Sequence, residues 1–526
     1  MTTTPEQARS SVVPLAPRRD RPVALIGFMG SGKSTAARAA GEALGAPAVD
    51  ADRVVEERLG KSIERVFVED GEAAFRAAEE AATVELLEDP AQRVVALGGG
   101  AVASERVRAA LAERLVIWLD VDVDTAWARA HGSGRPLARD RASFGLLHAQ
   151  REPLYMALAD AIIPAACSTA MAPVLDSLRG VPAGSRMLWA SSASGDYPVY
   201  VGAGLLRERR FWPPSVSGRR FLVTDGHVGR LYGEVVEPLA GVATVMPGEQ
   251  SKTVAHAEIV WTQLLRAGMN RADVVVALGG GVVGDLAGFC AATYQRGVRY
   301  VQVPTTLVAQ VDSAYGGKTG VDLDEAKNYV GAYHQPVAVI ADTSTLATLP
   351  PEEVAAGYAE VVKTALIAGG ALWERVRAGA DPTDPEVIVA CARTKLGIVA
   401  QDERDDGLRQ VLNLGHTVAH AIETVTGYVR YRHGEAVALG LLAALRLSER
   451  DDLRQEVEAL LAEHGLPTRL AGADPDAVVL ATARDKKRRG EGPVPFVLLE
   501  APGTPRPGCP IDADALASAV RELAQT

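Results

Sequence analysis

Asn413-Leu-Gly-His-Thr-Val-Ala-His420 is the stretch on which the reading of this chain turns. His416 and His420 are four residues apart, so on a helix they stand one turn apart on the same face. Two other segments point toward them. Upstream, Glu360 and Lys363 sit at i,i+3 spacing in YAEVVKTALIA; downstream, His433 opens HGEAVALGLLAALRL, an apolar run suited to a buried helix. Glu360, His416 and His433 together offer a carboxylate and two imidazoles, a set that Zn²⁺ accepts while keeping one position open. A lone histidine on an apolar helix is more often a hydrogen-bonded core residue, so the metal reading rests on the three occurring together.

At 526 residues the chain has room for three or four structural domains. With 48% hydrophobic and 23% charged residues it reads as an ordinary globular protein, and a net charge of -11 argues against nucleic acid as a partner. Cys167, Cys290, Cys391 and Cys509 are scattered without a CxxC pair, which suggests a reducing cytoplasm. Residues 1–20 lack an apolar h-region and read as a disordered tail, not a signal peptide. No apolar run is long enough to span a membrane.

Residues 21–180 begin with an apolar strand, Val23 to Ile26, followed at once by GFMGSGKS. This is G-x-x-x-x-G-K-S: Gly30, Ser31 and Gly32 turn backbone N–H groups toward phosphates, Lys33 reaches the β and γ oxygens, and Ser34 ligates Mg²⁺. A helix from Thr35 follows. Further strands at 48–49, 94–97, 115–119 and 161–163 alternate with helices, predicting a parallel sheet with helices on both faces. Asp50 and Asp52 follow the second strand and Gly98, Gly99 and Gly100 the third, while Arg76 lies in the helical FRAAEEAA. Singly, such acids are usually caps and such an arginine a surface charge. HGSGRPLARDR (131–141) is basic, Gly-rich and aperiodic, and reads as a mobile lid.

Taken together, GSGKS, D-x-D, F-R-x-x-E, the glycine triplet and RPL (135–137) resemble shikimate kinase. The resemblance implies ATP with Mg²⁺ as cofactor, shikimate held by Asp52, Arg76 and Arg151, and Gly98 to Gly100 as a wall. It also implies Arg129 on adenine, Asp50 orienting the acceptor hydroxyl or the metal's waters, and Arg135 brought by the lid onto the transferred phosphoryl group. Another small-metabolite kinase, or a nucleotide-sensing module without turnover, stands as the alternative.

Residues 181–196 are rich in Ser, Gly and Ala and read as a flexible linker, anchored by Trp189. From 197 to 345 strands and helices alternate again, predicting a Rossmann-like parallel sheet, with Gly279, Gly280 and Gly281 and a helix N-terminus placed for a pyrophosphate. From 346 to 526 the pattern is helical, with one late strand at 495–499. The cleft between these two regions is the expected site.

AEVVK (359–363), LRQVLNLGHTVAHA (408–421) and HGEAVALG (433–440), preceded by GGGVVGDLAGF (279–289) and PTTLVAQVDSAYGGKTGVD (304–322), resemble 3-dehydroquinate synthase. The resemblance implies Zn²⁺ or Co²⁺ on Glu360, His416 and His433. It implies NAD⁺ held by Asp225, Glu249, Lys252, the glycine triplet, Asp285, Thr305, Thr306, Asp312, Lys318, Lys327 and Thr348. The substrate, 3-deoxy-D-arabino-heptulosonate 7-phosphate, would meet Arg296, Lys318, Asn328, Lys363, Lys395, Arg409, Asn413, His420 and Lys486. Of these, Lys318, Lys363, Arg409, Asn413 and His420 would serve catalysis, and the enzyme would be a homodimer. Ala314, Asp405, Leu414 and Ala419 depart from the family pattern, and none of them is a metal ligand. Other sugar-phosphate cyclases or a polyol dehydrogenase are the alternatives for this half.

Overall fold

Twelve short segments pair into one sheet that runs through both halves of the chain. In the computed structural model, residues 21–132, 134–207, 211–323, 326–482 and 494–524 are described. The tail 1–20 and Lys486 therefore lie outside the described residues. The strands are β1 (Val23–Ile26), β2 (Ala48–Asp50), β3 (Val94–Ala96), β4 (Leu115–Asp120), β5 (Ala161–Pro164), β6 (Arg186–Ala190), β7 (Tyr197–Gly202), β8 (Arg220–Asp225), β9 (Gly241–Val245), β10 (Val274–Gly279), β11 (Arg299–Pro304) and, after a separate hairpin β12 (Lys318–Leu323) and β13 (Ala326–Tyr333), β14 (Ala338–Asp342). Their order is β2-β3-β1-β4-β5-β6-β7-β14-β11-β10-β8-β9. Strands such as β1 and β10 are buried along their whole length, as continuous Val/Ala/Leu runs covered by helices on both faces must be.

The expected irregular linker is corrected here. Met187, Leu188 and Trp189 are buried, and β6 pairs parallel with β5 (Ala161 opposite Met187) and antiparallel with β7 (Ala190 opposite Tyr197). The Ser- and Gly-rich composition belongs to the turns on either side of β6; in the second, the Trp189 indole and Ser191 hydroxyl donate to Asp196. Because β6 and β7 run in opposite directions while their neighbours are parallel, the strands of the two halves point opposite ways. Their carboxyl ends, where loops carry function in such sheets, lie on opposite edges.

The C-terminal region is helical apart from a late two-stranded sheet, β15 (Phe496–Leu499) with β16 (Pro505–Cys509). Helix Pro351–Ala368 is buried continuously from Ala356 to Ile367, and helix His433–Leu447 from Gly434 except for its last two residues and Glu435. Both are buried on every side because other elements surround them, and the charged Glu360 and Lys363 within the first are paired with each other. The two helices approach closely: a Cβ at Gly434 would stand 1.9 Å from Ala356 O, and helix His433–Leu447 also meets Gly415, the cap of helix His416–Val425, where a Cβ at Gly440 would stand 2.1 Å from Gly415 O. No described helix is long and apolar enough to cross a membrane.

Candidate active sites

At the carboxyl end of β1, Gly27, Gly30 and Gly32 adopt φ of 145°, 79° and 87°, turns that a Cβ would strain. The loop ends on helix Lys33–Leu44, with Gly32 as its cap. Lys33 Nζ donates to the carbonyls of Gly27 (2.9 Å) and Phe28 (3.0 Å), and burial pushes its pKa down to about 8. Ser31 Oγ is buried with no protein partner among the described residues, and Thr35 lies in the first turn. Ser34 Oγ donates to Asp50 Oδ2 at 2.5 Å, and Arg129 reaches the loop at Gly30 O (3.2 Å). An unpartnered donor, a lysine and a hydroxyl–carboxylate pair at one helix N-terminus fit a nucleotide phosphate with Mg²⁺.

Beside this loop Gly98, Gly99 and Gly100 thread between side chains from three elements. A Cβ at Gly98 would lie 2.2 Å from Glu79 Oε1 and 2.7 Å from Asp52 Oδ1; one at Gly100 would lie 2.2 Å from Arg76 Nη1 and 3.1 Å from Arg151 Nη2. The triplet thus lets two acids and two arginines converge. Arg76 is paired with Glu79 (2.6 Å) and Glu72 (3.0 Å), and Arg151 donates to Gly99 O (3.1 Å). Burial, only partly offset by Lys33, raises the Asp52 carboxyl to about 6. Arg135 is exposed in the turn segment before helix Arg141–Leu158, within electrostatic reach of Lys33 and Asp52. Glu79 and Tyr155, whose hydroxyl donates to Gly99 O (2.6 Å), are partners that sequence reasoning left without a role.

The second site lies on the other edge, in a cleft of about 1830 Å³ between the β8–β14 sheet and the C-terminal helices. One wall holds the N-terminus of helix Gly281–Thr293, after Gly280, with Asp225, Glu249, Lys252, Asp285, Thr305, Thr306 and Thr348. Lys252 pairs with Asp285 at 2.6 Å. The hairpin β12–β13 contributes Lys318, Lys327 and Asn328, with Lys318 2.6 Å from Asp405 on the helical side.

On the facing wall Glu360 Oε1 lies 3.4 Å from His416 Nε2 and 3.2 Å from His433 Nε2. Two ligands of one tetrahedral Zn²⁺, each at about 2.0–2.1 Å, stand roughly 3.3 Å apart, so the spacing fits one shared ion. These three are the metal-type cluster found among the described residues, and His420 lies beside it, its ring 5.5 Å from that of His416. Glu360 Oε2 is 2.5 Å from Lys363 Nζ, which is 3.4 Å from Asp312; Lys395 Nζ donates to Asp312 Oδ2 at 2.8 Å. Burial would raise the Asp312 carboxyl, but Lys363 and Lys395 outweigh it and hold it well below the usual range. Burial lowers Lys395 to about 8.

Several expected residues are not on the cleft surface. Gly279 ends β10 inside the sheet, and Lys363, 1% exposed, lies behind Glu360. Asn413 closes the turn before the ligand helix and does not line the cleft. Arg409 is turned inward, donating to the carbonyls of Gly316 (3.0 Å) and Glu403, so here it braces the chain. Arg296 is exposed just past the C-terminal end of helix Gly281–Thr293, whose N-terminus faces the cleft. Thirteen residues of helix, about 20 Å, keep it from its own chain's site. Conversely, Glu423 was missed. It is 2% exposed, lines the cleft, and its Oε1 lies 3.5 Å from His433 Nδ1 and 3.3 Å from Lys327 Nζ. Its signal was present as the third member of a His416, His420, Glu423 series at i, i+4, i+7.

Residues 242–356 and 357–488 match the family models for the 3-dehydroquinate synthase N-terminal and C-terminal regions. The 3-dehydroquinate synthase of Halorhodospira halophila is 46% identical over 339 residues, 60% of this chain and 94% of that protein. That of Symbiobacterium thermophilum is 45% identical over 333 residues, 58% and 92% of the two chains. The chain belongs to the 3-dehydroquinate synthase family. Residues 29–179 match the shikimate kinase model, so a shikimate kinase domain is fused ahead of the synthase. Among solved structures, 2-deoxy-scyllo-inosose synthase, in a complex with carbaglucose-6-phosphate, NAD⁺ and Co²⁺, superposes with a TM-score of 0.58 at 26% identity, covering 64% of this chain and 99% of its own. A 2-epi-5-epi-valiolone synthase from Streptomyces hygroscopicus, with NAD⁺ and Zn²⁺ bound, gives 0.57 at 26% identity, covering 62% and 96%.

Proposed function

We propose that the kinase half phosphorylates shikimate to shikimate 3-phosphate with ATP and Mg²⁺, and that the synthase half converts 3-deoxy-D-arabino-heptulosonate 7-phosphate to 3-dehydroquinate and phosphate. The observation that carries the second reaction is the Glu360, His416, His433 cluster facing a glycine-loop helix N-terminus across one cleft. These residues would hold Zn²⁺ or Co²⁺, with NAD⁺ along the Gly280–Gly281 wall. Bound together, the two would supply Lewis-acid polarisation of substrate hydroxyls and a two-electron acceptor that is regenerated within each turnover.

The residues of the chain do the rest. Lys395, Lys318 and Asn328 offer donors to a carboxylate and a phosphate, and His420 stands beside the metal cluster to carry a proton. In the kinase half, Arg151 and Arg76 bind the shikimate carboxylate and Asp52 accepts from its hydroxyls, while Lys33 and Arg135 take up the charge of the transferred group. Asp50, held at Ser34, positions the magnesium shell.

We place the protein in the cytoplasm as a homodimer through the synthase half. Arg296, displayed away from its own cleft, is then available to that of a second copy. The test is to incubate the chain with the heptulosonate phosphate and catalytic NAD⁺, before and after chelation. Phosphate and dehydroquinate should form together, chelation should abolish both, and NADH should not accumulate. Net NADH formation without phosphate release would mean a dehydrogenase instead. Glu360→Gln should stop this turnover while shikimate-dependent ATP consumption continues.

A further inference from the structure

Glu423 is a buried carboxylate that none of the steps above uses. It stands on helix His416–Val425 on the same face as His416 and His420, and it is 2% exposed. A charge buried this far is costly unless it is paired, so its neighbours matter. Its Oε1 lies 3.5 Å from His433 Nδ1, while the other nitrogen of that ring, Nε2, lies 3.2 Å from Glu360 Oε1. The imidazole is thus bracketed by a carboxylate at each nitrogen.

An imidazole that presents its Nε2 lone pair to a cation must carry its proton on Nδ1, and that N–H needs an acceptor. The other ligand histidine has one: His416 Nδ1 is 3.2 Å from Leu414 O. For His433 no backbone carbonyl is in that place among the described contacts, and Glu423 faces the nitrogen instead. We propose that Glu423 is a positioning residue of the metal site, fixing the tautomer and ring orientation of His433 so that Nε2 converges with Glu360 and His416. The inference rests on the reading of those three as metal ligands.

The same oxygen also meets Lys327 Nζ at 3.3 Å, and Lys327, from β13, lies 4.6 Å from the centre of the Tyr428 ring and 3.5 Å from Glu249. A plainer role for Glu423 would be to tether this hairpin to the helical domain. The two roles separate by experiment. Zinc dissociation constants of the full chain are measured by competition with a chromophoric chelator, for wild type, Glu423→Gln and Lys327→Met, with the Co²⁺ absorption envelope as a second readout.

If Glu423 positions His433, Glu423→Gln weakens zinc roughly 10- to 100-fold and shifts the cobalt bands, while Lys327→Met stays close to wild type. Glu423→Asp, which keeps the charge one methylene further away, should fall between; it carries the same criterion if the glutamine variant fails to fold. Unchanged zinc affinity in both Glu423 variants overturns the proposal, as does an equal loss in Lys327→Met. Equal zinc affinity in wild type and Glu360→Gln would sink the metal reading itself, a result distinct from either.

Discussion

Asp52 shows how one residue's environment sets a condition on activity. Its carboxyl is raised to about 6, first by burial and with Lys33 opposing. An unfolded aspartate titrates near about 3.9, so the folded chain takes up a proton between those values that the unfolded chain does not. Below about pH 6 the protonated group loses capacity to accept from two hydroxyls. Shikimate affinity, measured by calorimetry between about pH 5 and 8, should therefore fall as pH falls through about 6. Asp52→Asn should be weak throughout, with that step gone; a wild-type profile flat across this range would refute the assignment. At this scale the residue types were legible from motifs, whereas the inward turn of Arg409 was not. Its guanidinium follows the carbonyls of Gly316 and Glu403, and the first of these is 93 residues away.

At the scale of elements, the metal cluster depends on two helices touching at a glycine. A Cβ at Gly434 would stand 1.9 Å from Ala356 O, so helix His433–Leu447 must move away from helix Pro351–Ala368, carrying His433 from Glu360. Gly434→Ala should cost about 1–3 kcal/mol of stability and weaken zinc binding, read by denaturant unfolding and chelator competition. Gly397→Ala is the control: it is exposed within helix Pro385–Gln401, a Cβ there meets nothing within 4 Å, and it should be neutral or stabilising by up to about 1 kcal/mol. Equal damage from both would show that close helix approach is not the cause. The long helices were legible because apolar periodicity sets them locally. The hairpin β12–β13 was not, since β13 is nowhere buried and carries no sustained apolar alternation. Strand β6 was hidden for a related reason: this five-residue segment gains a neighbouring strand on each side only after both halves have formed, pairing through two residues with β5 and five with β7.

At the scale of the molecule, a helix of the synthase half reinforces the junction that the shared sheet makes with the kinase half. Arg393 on helix Pro385–Gln401 donates to both Asp120 oxygens at the end of β4 (2.6 and 2.8 Å), pairs with Glu152, and lies 4.5 Å from the centre of the Trp118 ring. Arg186 adds a contact to Glu386 at 2.7 Å. These groups are about a fifth to a third exposed, so the net worth of the Arg393 cluster is discounted to on the order of 2 kcal/mol. Arg393→Met should lower the stability of the kinase half by about that amount and separate its unfolding from that of the synthase half in calorimetry. An unchanged transition would remove the cluster as the link. The reversal at β6–β7 also puts the two sites on opposite edges of the sheet, so a product leaving one cleft does not face the other.

What the sequence determined by itself was local: a glycine turn around phosphates, imidazoles one helical turn apart, and apolar runs whose period names a helix or a strand. Those features depend on neighbours within a few residues, so they are written in order along the chain. Only the tertiary structure decided that Glu360, His416 and His433 meet at 3.2–3.4 Å, that Glu423 backs one of them, and that a single sheet carries both enzymes with their sites facing apart. Such contacts join residues tens to hundreds of positions apart. They exist because burying whole faces of helices and sheets leaves one packing, and no local period encodes it.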